Sequence, residues 1–106
     1  MPALRPPLSP KKHHRANATG ADRLLELFRT WSAKNPLRKF RETNGYRLSE
    51  TASMLNVSIG TIQQWEDGTR EPKEERLGDI CRLINRGKPQ DALEEWKKWR
   101  EAKPQP

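Results

Sequence analysis

Between Ser58 and Pro72 the chain reads SIGTIQQWEDGTREP, and its residues divide by face. On a helix, Ile62 and Trp65 share one side, while Ile59, Gly60, Gln63 and Gln64 fall largely on the other. A merely solvated helix carries Glu and Lys on its outer face. Here that face holds two amides, an aliphatic and a residue with no side chain. Glutamine pairs in bidentate fashion with N6 and N7 of adenine, and an aliphatic group packs on a thymine methyl, when either is presented to a major groove. Glycine lets backbone approach backbone, at a cost of about 1 kcal/mol of helix propensity relative to alanine.

Other chemistry is missing from the sequence. There is no glycine-rich phosphate loop and no Ser/His/Asp or Cys/His arrangement within one unit. Carboxylates stand singly or in pairs such as Glu74-Glu75 and Glu94-Glu95, which suit solvated helix faces. Nothing points to an enzyme, and no cofactor is implied. Cys81 is the single cysteine, which rules out an internal disulfide framework and a multi-cysteine metal site. It reads as a small buried hydrophobe. His13 and His14 have no carboxylate or cysteine near them, so no metal site is expected.

The elements that must present the Ser58–Pro72 face begin at Gly45. Leu48, Ala52 and Leu55 recur at helical spacing and give a first short helix one buried stripe. Asn56 suits the corner that follows, because Asn tolerates the left-handed conformation better than any residue but Gly. Val57 plugs that corner, and Ser58 caps the next helix. Asp67-Gly68 stops the second helix, and Pro72 lies just beyond. Upstream, residues 21–34 form an amphipathic helix. Leu24, Leu27, Phe28 and Trp31 make its stripe, Leu25 widens it, and Thr19 or Asp22 caps it. It either covers the core or meets a partner. Asn35-Pro36 ends it. Residues 37–44 follow as a helix with Leu37 and Phe40 inward. Residues 73–87 form another, with Leu77, Ile80, Cys81 and Ile84 on one face, ended by Gly87 and Pro89. Residues 90–102 are the last. Ala92, Leu93, Trp96 and Trp99 form a thin stripe there. Trp31, Trp96 and Trp99 either pack onto the domain or offer a surface to a partner.

The chain has 106 residues, 32% hydrophobic and 33% charged, which allows one small core. No apolar run approaches the roughly 20 residues of a membrane span, and no secretory h-region follows Met1. The expected place is the cytoplasm, at the nucleoid. Net charge is +7, which suits a polyanionic partner. Its distribution is uneven: residues 1–20 hold four basic and no acidic residues, whereas residues 36–72 hold five of each. Residues 1–20 are proline-rich and aperiodic, as a disordered tail would be. Lys11, Lys12 and Arg15 there make either a solvated run or an arm along phosphates or into a minor groove.

The stretch from about Leu37 to Ile84 resembles the lambda-repressor/Cro (XRE-like) helix-turn-helix family. The matching residues are Gly45, Ala52, Leu55, Val57-Ser58, Thr61-Ile62, Trp65-Glu66, Gly68 and Pro72. The resemblance implies an all-α bundle of about five to six short helices behind the basic tail. It would divide into a tail (1–20), an extra helix (21–35), the helix-turn-helix domain (36–87) and a Trp-bearing helix and stub (88–106). It makes Ile59, Gly60, Gln63 and Gln64 the base-readout face. Backbone contacts fall to Arg47, Ser49, Ser58, Thr61, Thr69 and Arg70. It also implies an ion pair between Arg41 and Glu66 that locks the first helix of the module to the recognition helix. Three positions depart from the family pattern. Arg47 stands at a cap where Ser or Thr is usual, Asn56 replaces the turn glycine, and Ile59-Gly60 replace long polar residues.

The leading functional expectation is a repressor-like regulator of the phage, plasmid or bacterial type. It would bind double-stranded DNA in a sequence-specific way, as a homodimer. One alternative is a DNA-binding antitoxin partnered by a toxin. Another is an interaction module for the transcription machinery that uses the tryptophans, and a DNA-processing component is a third. No membrane partner is expected.

Overall fold

The computed structural model describes residues 20–105. Six helices follow one another: α1 (Gly20–Ser32), α2 (Pro36–Thr43), α3 (Leu48–Leu55), α4 (Ile59–Asp67), α5 (Glu74–Ile84) and α6 (Pro89–Glu101). No strand occurs among the described residues. The expected arm of Lys11, Lys12 and Arg15 lies outside them. Gly20, placed in the tail by its sequence, is the first residue of α1.

Local sequence explains most of the boundaries. Asn56 turns the chain between α3 and α4 with φ 56° and ψ 48°, the left-handed geometry expected of it. Gly68 closes α4 at φ 77°. Two prolines do something other than stop a helix. Pro36 and Pro89 each open one, where their missing N–H costs nothing. Thus α1 ends at Ser32, and α5 ends at Ile84, three residues before the expected glycine. The side chain of Asn85 accepts from the Lys88 backbone N–H at 3.0 Å and shapes that turn.

The core joins Leu37, Ala52, Leu55, Ile62, Trp65, Leu77, Ile80, Cys81 and Ala92 with three tryptophans. Helices α5 and α6 pack on each other, α3 packs on α4, and α2 leans on both α5 and α6. Helix α1 joins this core through Trp31, with Phe28 half-buried beside it. The wide stripe expected of α1 is only partly used. Leu25 and Leu27 are 62% and 56% exposed. Residues two apart on a helix stand about 200° apart, so a narrow bundle seats the middle of the apolar arc and leaves its rims in solvent.

Trp31, Trp96 and Trp99 pack into the domain and are 6%, 1% and 8% exposed. Trp31 and Trp99 stack with ring centroids 4.2 Å apart and planes 2° from parallel. Each indole N–H donates to the other residue's carbonyl, Trp31 Nε1 at 2.6 Å and Trp99 Nε1 at 2.8 Å. Trp96 meets Trp99 edge-on at 5.3 Å. This reciprocal pair joins the helix before the module to the helix after it. The thin stripe of α6 thereby joins the stripe of α1 in one core.

Candidate nucleic-acid interface

Helix α4 is held from behind at three points. Ile62 and Trp65 are buried at 0% and 4% exposure. Glu66 takes both arms of the Arg41 guanidinium, Nε to Oε2 at 2.9 Å and Nη2 to Oε1 at 3.0 Å. The third guanidinium nitrogen, Nη1, donates to the Tyr46 carbonyl at 3.3 Å. The Arg41 and Glu66 side chains are only 16% and 5% exposed. The hydrogen bond to Glu66 raises the Arg41 pKa above its ordinary value, and burial opposes it. A planar fork meeting a carboxylate in this way fixes direction as well as distance.

The third point is Asn35, which sequence reasoning treated only as a stop. Its side chain is fully buried and does two jobs. Oδ1 accepts from the Arg38 N–H at 2.9 Å and caps α2. Nδ2 donates to the Trp65 carbonyl at 3.2 Å, on the inner face of α4. The available signal was the pair Asn-Pro at the start of a helix, a cap followed by a proline at the first helical position.

The outer face is open. Ile59, Gly60, Gln63 and Gln64 are all exposed, Ile59 by 46%. At the head of α4, Ser58 Oγ accepts from the Thr61 N–H at 3.1 Å and lies 2.9 Å from Thr61 Oγ1. The two hydroxyls share one hydrogen, which leaves the other O–H to donate outward. Gly60 has room: an added Cβ would meet only the Ser58 hydroxyl, at 3.9 Å.

Arg47 and Ser49 are exposed at the start of α3. No Ser or Thr caps this helix. Glu50 reaches back instead, and its Oε1 accepts from the Arg47 backbone N–H at 2.7 Å. After α4, the Gln64 carbonyl accepts from the Thr69 and Arg70 N–H groups at 3.1 and 3.3 Å. The Thr69 hydroxyl also turns to that carbonyl, at 3.4 Å. Arg70 is exposed in this loop, as are Glu71 and Lys73, and Thr69 is partly committed to the turn. Among the described residues, no group of three or more His, Cys, Asp or Glu is arranged to hold a metal ion. Within the same range, no helix is long and apolar enough to cross a membrane.

A helix locked on one face and open on the other, entered through a left-handed corner, defines a helix-turn-helix protein. The chain belongs to the helix-turn-helix family of the XRE/Cro type, whose family model matches residues 37–90. Membership implies DNA binding, as is typical of transcriptional regulators. No curated protein and no solved structure matches the chain. The match begins at Leu37 and ends at Gln90. Helix α1 lies outside it, as does nearly all of α6.

Proposed function

We propose that this chain is a repressor-like regulator that reads double-stranded DNA with α4. The observation that carries the reading is the two-faced character of that helix. Its inner side is fixed by Ile62, Trp65, Glu66 and the Asn35 bond, while Ile59, Gly60, Gln63 and Gln64 stand unobstructed. Gln63 and Gln64 supply paired donors and acceptors for adenine, and Ile59 supplies apolar contact for a thymine methyl. Arg47, Ser49, Ser58, Thr61 and Arg70 surround this face with groups suited to phosphate oxygens, with Thr69 beside them. The regulator acts as a dimer on a two-fold site, with half-sites about 34 Å apart.

Selection of bound sequences from random duplex DNA tests this reading. A symmetric consensus with adenine or thymine at the positions facing α4 is expected. Gln63→Ala with Gln64→Ala is expected to flatten the preference there. No enrichment from the random pool would overturn the reading.

A further inference from the structure

The motif's own charge is zero, so a cationic grip from outside residues 36–72 would add to what Arg47 and Arg70 supply. A shallow groove of about 510 Å³ beside the turn supplies one. Asn56 and Met54 form its turn side, and Arg76, Asp79, Arg82 and Arg86 of α5 and its end form the other. The spacing of three places Arg76, Asp79 and Arg82 along one face of α5, and Arg86, two residues past its end, completes the lining. Three guanidinium groups against one carboxylate leave two positive charges in a small volume.

The groove is organised as well as charged. Arg76 Nη1 donates to the Leu55 carbonyl at 3.1 Å, which neutralises the end of α3 and fixes the rim. Asp79 holds Arg82 in an ion pair and lies 3.9 Å from Arg76. Met54 is 46% exposed on the same surface. An excess of positive charge beside apolar groups matches a chain that alternates anionic and apolar parts. A phosphodiester backbone has that alternation, phosphate then deoxyribose. A second copy presenting the same groove would repel it.

We infer that this groove binds the phosphate backbone of the same duplex whose bases α4 reads. Arg82 and Arg86 are the principal contacts, and Asp79, beside Arg76, positions Arg82. The inference rests on the DNA reading above and adds to it a site that the motif does not contain.

The test compares Arg82→Ala/Arg86→Ala with Lys97→Ala/Lys98→Ala, which removes the same charge from exposed positions of α6. Affinity of the full chain for its selected duplex is measured between 50 and 200 mM salt. Each lost phosphate contact lowers the salt slope by about 0.9. The arginine pair is expected to lower it by about 1.8 and to weaken binding roughly tenfold or more, with base preference unchanged. The lysine pair is expected to change the slope by less than half as much. Equal effects from the two pairs would reduce the groove to general charge and overturn the inference. So would an unchanged slope in the arginine variant, the result expected if the groove takes an acidic peptide. If the wild-type chain selects no duplex at all, the DNA reading itself fails. All four side chains are exposed, so thermal melts of both variants are expected to match wild type.

Discussion

Replacing Gly60 by alanine separates what the fold wants from what the interface wants. Gly60 sits in the first turn of α4, at an ordinary negative φ. An alanine Cβ would touch only the Ser58 hydroxyl, at an unstrained 3.9 Å. The substitution removes the conformational freedom that glycine brings to the unfolded chain, which stabilises a compatible helix by about 0.5–1 kcal/mol. For a domain of this size that corresponds to roughly 2–8 °C in Tm. If α4 approaches DNA as proposed, the same methyl projects from the readout face into the groove. Binding is then expected to weaken by roughly tenfold, about 1.4 kcal/mol. Gly68, at the other end of α4, provides the opposite sign. Its φ is 77°, and a Cβ there would collide with the outer ring of Trp31. The left-handed backbone costs alanine about 1–2 kcal/mol. Displacing Trp31 adds the stack, about 0.5–1.5 kcal/mol, and weakens two hydrogen bonds worth about 1 kcal/mol each. Gly68→Ala is thus expected to destabilise by about 3 kcal/mol. In a Trp31→Phe background, which removes the crowding atoms, it is expected to cost only the backbone term. Urea titrations of wild type and the four variants, with DNA titrations of the Gly60 variant, provide the assay. Gly60→Ala that is both stabilised and undiminished in DNA affinity would refute the close approach of the helix head. Equal costs of Gly68→Ala in both backgrounds would refute the Trp31 contact.

Arg41→Met leaves Glu66 as a buried charge without its fork, and is expected to cost about 3–5 kcal/mol by urea denaturation. Arg41→Lys keeps the charge but loses the two-armed geometry, and falls between that variant and wild type. Arg70→Ala is expected to weaken DNA binding without changing base preference, with a salt slope lower by about 1. Burial pushes the Cys81 thiol above its ordinary 9.0, with the Arg82 charge opposing it. Its folded pKa is therefore raised, so the stabilising effect is full below about pH 9 and is lost as pH rises further. Stability is expected to fall above pH 9 more steeply in wild type than in Cys81→Ala, and thiol labelling of the native protein is expected to follow global unfolding. Asn35→Ala removes the α2 cap and strips the Trp65 carbonyl of its donor, for an expected loss of about 2–3 kcal/mol.

What could be read from the sequence was governed by short range. Ser58, Asn56 and Gly68 act within one turn of themselves, and the alternation of Ile62 and Trp65 with Gln63 and Gln64 is a property of α4 alone. Such features need no knowledge of where the rest of the chain goes. The fate of the tryptophans needed that knowledge. Trp31 and Trp99 are 68 positions apart; the stripe of α6 looks too thin for a core, and that of α1 is wider than the bundle uses. Only when the two meet do both carbonyls gain donors and both ring faces gain cover, so neither sequence segment alone decides between core and interface. Asn35 is a mixed case. Its cap of α2 is local, but its bond to the Trp65 carbonyl spans 30 positions. The same distinction bears on function. On the proposed reading, a neutral readout motif presents one face to DNA, and grip would depend on charges that the fold brings alongside. Arg82 and Arg86 look like ordinary solvated residues until α5 is laid against the end of α3. If the groove grips DNA as proposed, affinity is a tertiary property, even though the family was evident from a single stretch of sequence.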